Sequence, residues 1–454
     1  MRQSYLLIAS LVAILAAAPM RADETSDRLR HALTLARDGS MDEAVAAIPD
    51  AAALDRGNLS ALQNLVQALT EQRPSAAAHL LAAMRRLDPD AMRPRANLES
   101  LWAANPSLDG LLMEDLPGYP IDAETTTVGG ATIVTISPKP FVNYTPPIEP
   151  TSGMPYPLLV SAYVLKAGTL ALRFTVHCAD RVDPARARQV GRFLVALSDL
   201  TDPVLGAEIR AVYPVPVWIS AEGAAGARQW RGAIHIEAAN TPRSDIEWVR
   251  ELTHEWGHAA LPGIDGFTQP EAWANGDLGE RLFLPLMDKS GRLSAWAPGV
   301  EAAPYAARYF VPLVTAFSRS GPDPRLLADK GRKGYEHFLG AALYVDGAYG
   351  RRILLEALDG AGGGSARDFL TSLSRVLAVR TAVEIRRGGA VGPLPICIPR
   401  SGRYILDGRA VRQLGRAVKS PITLSAGWTM IEWDGVLTVR RAEVRGAQSS
   451  RRGR

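Results

Sequence analysis

Two cysteines, Cys178 and Cys397, are all that 454 residues contain. They allow either one disulfide or two buried thiols, and nothing in the sequence chooses between them. Catalysis by a cysteine nucleophile finds no support: only Cys178 has a His beside it, and adjacent residues on a strand such as LALRFTVHCAD face opposite ways. Charge of one sign is also scarce. With 51 basic and 47 acidic residues the net charge is +4, so no nucleic acid and no anionic lipid surface is implied. The glycine-rich stretch DGAGGGSARD at 359–368 lacks the Lys-Ser/Thr ending of a phosphate loop and reads as a surface turn. Long apolar runs are missing past the N-terminus, so no stable membrane insertion of the mature chain is expected.

The one apolar run, Leu6 to Ala18, follows a single early Arg and precedes small residues, a pattern expected of an export signal over residues 1–22. It is too short to span a bilayer comfortably. An exported protein, periplasmic or secreted, is the resulting expectation.

Length alone suggests several compact units. Residues 23–115 are rich in Ala, Leu and Arg at helical spacing, with breaks at Gly39–Ser40 and Pro74, and are expected to form an α-helical module of TPR-like hairpins. Such a module offers a surface for protein docking. From 116 to 165 Pro, Thr and β-branched residues predict strands within a linking segment. Residues 166–385 mix strands and helices and are expected to be the catalytic domain, and 386–454, with short alternating runs between Gly and Pro, a small β domain.

One stretch of that central region carries chemistry. In TPRSDIEWVRELTHEWGHAALPG, Ser244 and Glu247 form a capping box, and Pro262-Gly263 ends the helix. His254 and His258 stand four apart inside it, so their imidazoles lie on one face and can close on one Zn²⁺. Glu255 sits one residue round, placed to act as general base rather than ligand. A catalytic zinc takes three protein ligands, and the next His is His337, so a carboxylate is expected third. Downstream, Pro270 is expected to open a second helix, with Glu271, Asp277 and Glu280 as candidates. Glu280, inside that helix, is preferred; Asp277 and Glu271 remain alternatives, with the unused carboxylates orienting the His rings.

With HEWGH followed by a helix holding Glu280, the chain resembles the gluzincin class of zinc metallopeptidases over roughly residues 185–385. The resemblance implies an α+β, thermolysin-like core with a mixed sheet and active-site helices, and hydrolysis of peptide bonds in a peptide or protein substrate. It implies an edge strand for substrate, for which GAIHIEAAN is the candidate. It also implies a later residue that stabilises the developing oxyanion, for which His337 comes first and Tyr335 second in KGYEHFLGAALYVDGAYG. Two alternatives stay open: a non-catalytic metal-containing binding or scaffold protein, and a zinc hydrolase of non-peptide amides or esters.

Overall fold

A computed structural model describes residues 22–88, 121–138, 149, 153–166, 169–223, 226–388 and 392–442. The expected export signal at 1–22 lies almost wholly outside them. The chain divides into two units, residues 1–196 with 213–242, and residues 197–212 with 243–454.

In the first unit, α1 (Ala22–Arg37), α2 (Met41–Ala47), α3 (Leu59–Leu69) and α4 (Pro74–Leu87) realise the helical reading of the N-terminal region. Gly39 makes the first break at φ +86°, a conformation a side chain disfavours, and Pro74 opens α4 where its missing N–H is not needed. The apolar stripes of these helices, including Leu29, Leu62, Leu65, Leu80 and Leu81, pack with Val134, Ile136, Tyr163 and Leu172 of a sheet.

That sheet has seven strands: β1 (Ile121–Val128), β2 (Ala131–Pro138), β3 (Leu158–Lys166), β4 (Thr169–Cys178), β5 (Val215–Ile219), β6 (Gly226–Trp230) and β7 (Ala233–Glu237), in the order β1-β2-β3-β4-β5-β7-β6. The stretch expected to link domains therefore supplies three of its strands. β1 to β4 pair antiparallel; β4–β5 and β5–β7 are parallel, and α5 (Pro184–Leu205) makes the first of these crossovers. The sequence reading of GAIHIEAAN as the edge strand is corrected here. β7 is bonded on both sides, to β5 and β6, and the outer strand is β6. Its alternation also differs: His235 is buried along with its apolar neighbours, 3.5 Å from the buried Glu149 carboxylate. A strand with partners on both sides and both faces covered hides residues of either parity.

The second unit begins in the last turns of α5. It holds α6 (Asp245–Ala260), α7 (Asn275–Lys289), α8 (Ala302–Tyr309), α9 (Val311–Ser320), α10 (Arg332–Tyr349), α11 (Arg351–Ala361) and α12 (Ala366–Ala378). β8 (Ala382–Arg386), β9 (Leu394–Ile398), β10 (Gly402–Gln413), β11 (Arg416–Ala417), β12 (Ile422–Leu424) and β13 (Gly427–Arg441) follow as the β assembly expected at the C-terminus. It is tied to the helices: the Tyr344 hydroxyl donates to Pro395 O at 2.7 Å, and the Cys397 N–H donates to the Tyr349 hydroxyl at 2.8 Å. The result is a mixed α+β fold. Cys178 and Cys397 are free, buried thiols, and burial pushes the Cys397 thiol up to about 12.

Candidate metal centre

The site is built on two antiparallel helices. α6 starts where the sequence predicts: the Ser244 side chain accepts from the Glu247 N–H, and the Glu247 carboxylate accepts from the Ser244 N–H at 2.8 Å. One face of α6 buries Trp248, Val249, Leu252 and Trp256, and the Trp256 indole N–H donates to the Thr201 hydroxyl at 2.9 Å. Where α7 crosses α6, both chains are glycine. A Cβ on Gly279 would lie 2.3 Å from the Cα of Gly257, and one on Gly276 would lie 2.3 Å from His258 Nε2 and 2.5 Å from His254 Nε2. Only bare backbone lets α7 lie this close to the imidazoles.

The sequence expects α7 to open at Pro270, but the chain stays irregular until Asn275. Glu271 is therefore a loop residue, free to reach across the ends of both helices. Its Oε2 stands 3.1 Å from His254 Nε2 and 3.1 Å from His258 Nε2, and those two nitrogens are 3.2 Å apart. Glu280, the preferred third ligand, is not brought to this point. It lies on the far side of His254, with its Oε2 3.9 Å from Nδ1, and its other oxygen accepts from Arg250 at 2.9 Å and from the Tyr305 hydroxyl. Asp277 shares that flank, 3.8 Å from His254 Nδ1 and 2.6 Å from Arg281. The physical reason is the crossing itself: with Gly276 against the imidazoles, a residue one turn further along α7 has passed them and meets Arg250, one turn earlier on α6.

The donor set fits a small divalent ion. A tetrahedron with ligands at about 2.1 Å puts its donor atoms about 3.4 Å apart, close to the spacing found among these three. Both imidazoles present Nε2 to the common point, and the opposite nitrogens face acceptors. His258 Nδ1 is 2.8 Å from Asn275 Oδ1, whose amide is itself held by the carbonyls of His258 and Leu261 at 3.2 Å each. Such contacts fix ring orientation and leave Nε2 as the ligand. His254 and Glu271 share protons. Burial pushes the His254 imidazolium down, but the Glu271 carboxylate beside it lifts the net value to about 9. Burial likewise pushes Glu271 up, yet the two imidazoles hold it well below the usual carboxylate range. A cation would take the place of those protons.

Glu255 is 3% exposed, and its Oε2 has no hydrogen-bond partner among the described residues. Burial raises its carboxyl to about 7 against the pull of His254 and His258. An acid poised near neutrality beside a candidate cation site suits proton transfer.

Of the two residues expected on the later helix, Tyr335 is here and His337 is not. The Tyr335 hydroxyl donates to Glu271 Oε1 at 2.5 Å, its ring held edge-on by Phe267 at 5.1 Å. Two residues further round α10, His337 faces elsewhere: its Nε2 accepts from the Asp323 N–H at 3.1 Å, and its ring packs on Phe317. Asn275, Tyr305 and Arg250 have no distinct signal in the sequence, since each is placed by the helix crossing.

The chain matches no known protein-family model, and comparison with curated proteins finds no relative.

Proposed function

We propose that this chain is a zinc-dependent hydrolase of peptide bonds, with His254, His258 and Glu271 as the metal ligands and Glu255 as general base. The observation that carries the reading is the convergence of His254 Nε2, His258 Nε2 and Glu271 Oε2 to within 3.2 Å of one another, beside a buried carboxylate. The reading keeps the gluzincin resemblance with one departure: the acidic ligand comes from the loop ahead of the second helix, 13 residues past His258.

Zinc, when bound, polarises a carbonyl and acidifies water to near neutrality. The chain's own residues supply the rest. Glu255 takes a proton from the attacking water and returns it to the leaving amine. Tyr335 holds Glu271 by one oxygen so that the other faces the imidazoles, and Asn275 holds His258. Arg250 and Arg281 neutralise Glu280 and Asp277, keeping those carboxylates on the Nδ1 flank of His254.

Zinc content per chain, with hydrolysis of a mixed peptide library, tests this in wild type and in Glu271→Ala, Glu280→Ala and Glu255→Gln. One zinc is expected in wild type, in Glu280→Ala and in Glu255→Gln, and none in Glu271→Ala. Hydrolysis is expected to fall by at least 10²-fold in Glu255→Gln. Absence of zinc from folded wild type, or full activity in Glu255→Gln, would overturn the reading.

A further inference from the structure

Between Glu271 and Asn275, both of which touch His258, stands Trp273, 45% exposed. A large ring left in water beside a candidate catalytic centre calls for a reason, because tryptophan is the residue type most often found anchoring partners at binding sites.

The ring is seated, not loose. A Cβ built on Gly263 would lie 2.5 Å from Trp273 Cε3 and 2.6 Å from Cζ3, closer than real side chains approach. Gly263 is not among the glycines with positive φ, so its backbone could carry a side chain; it is the indole that needs the space. The same atom Cζ3 would lie 3.9 Å from a Cβ on Gly363, so two glycines border this edge of the ring. The loop beneath is pinned at three points: Ala274 N–H to Ile264 O at 3.0 Å, Asp265 N–H to Gly364 O at 3.0 Å, and Thr268 N–H to Lys330 O at 2.7 Å. From Gly266 to Trp273 the only charged residue is Glu271, already engaged by the imidazoles and Tyr335. The exposed residues of this loop, Gly266, Thr268, Gln269, Pro270, Ala272 and Trp273, carry no charge, and Trp273 supplies the exposed ring.

We infer that Trp273 is the platform for a substrate side chain next to the scissile bond, so that peptides with an aromatic or large apolar residue at that place are the preferred class. The inference rests on the hydrolase reading above. A rigid indole offers such a side chain contact area at little entropic cost, and an aromatic pair adds about 0.5–1.5 kcal/mol beyond area burial, or roughly two- to twelvefold in affinity, to which burial of the larger side chain adds.

The test is a binding measurement on full-length, zinc-supplied protein carrying Glu255→Gln, so that nothing is turned over. Two fluorescein-labelled hexapeptides, GGAFGG and GGAAGG, are titrated by fluorescence anisotropy. The phenylalanine peptide is expected to bind about tenfold more tightly. Trp273→Ala should abolish the difference, Trp273→Phe should keep part of it, and Gly263→Ala should abolish it with the indole present but displaced. Unchanged preference in Trp273→Ala and Gly263→Ala, or no difference between the peptides at the outset, would overturn the inference. Thermal unfolding of each variant controls for folding, and Gly263→Ala carries the test if Trp273→Ala is unfolded. Trp273-dependent binding in a protein that holds no zinc would sink the hydrolase reading and leave the platform standing. Zinc-dependent hydrolysis with no Trp273 effect would do the reverse.

Discussion

At the scale of the residue, the site depends on who orients whom. Tyr335 touches Glu271, the ligand proposed above, so its role is positioning, and removing its hydroxyl alone should loosen the carboxylate without emptying the site of donors. Tyr335→Phe is expected to weaken zinc binding about 10- to 100-fold, measured by competition with a chromogenic chelator. An affinity equal to wild type would refute that role. His254, Glu255 and His258 were legible in the sequence because their spacing is a property of one helix. Which of the three candidate carboxylates meets both imidazoles was not. Glu271 and Glu280 differ in which of them a second helix carries past the imidazoles, and that is decided by the approach of Gly257 to Gly279, which no local pattern announces.

Elements bring their own constraints. α6 was readable end to end, since its cap, apolar face and stop are all encoded within its own sequence. Ser244→Ala, which removes the cap acceptor, should cost about 1 kcal/mol in urea unfolding, with zinc stoichiometry unchanged. The crossing with α7 is less forgiving. Gly279→Ala drives a methyl to 2.3 Å from backbone, where no flexible side chain can yield. A loss of about 1–3 kcal/mol in stability is expected, with weakened zinc binding as the helices part. A variant of native stability would show that the crossing tolerates more than its geometry allows. The strand β7 was misplaced for a related reason: alternation tells which residues point the same way, but not whether another strand lies beyond. Pairing with β6 is tertiary information.

Across the whole molecule, the second unit is assembled from two separate pieces of chain, 197–212 and 243–454. Thr201 accepts from Trp256, and Asp199 pairs with Arg292 at 3.0 Å, both sides of that pair buried. Residues 243–454 expressed alone should therefore fail to fold stably, since the missing segment supplies both the acceptor of the Trp256 indole and the buried carboxylate that pairs with Arg292. Cooperative unfolding of that fragment in a calorimeter would count against the assignment.

Acid should weaken the intact chain in a definable window. Burial holds the His337 imidazolium below its ordinary 6.5 in spite of Asp323, so the folded state keeps it neutral. As pH falls below 6.5 towards the folded value, the unfolded chain takes up the proton first and stability drops. His337→Gln should make the fall in thermal midpoint over that range shallower. An identical slope would exclude His337 as a contributor.

Both sulfhydryls of this chain are buried, and burial depresses thiolate formation at each. The protein is in effect a blank background for maleimide chemistry. One cysteine introduced at exposed Ala272, beside Trp273, would be the sole addressable thiol, and a spin label or fluorophore placed there would report on that loop without any native cysteine having to be removed first.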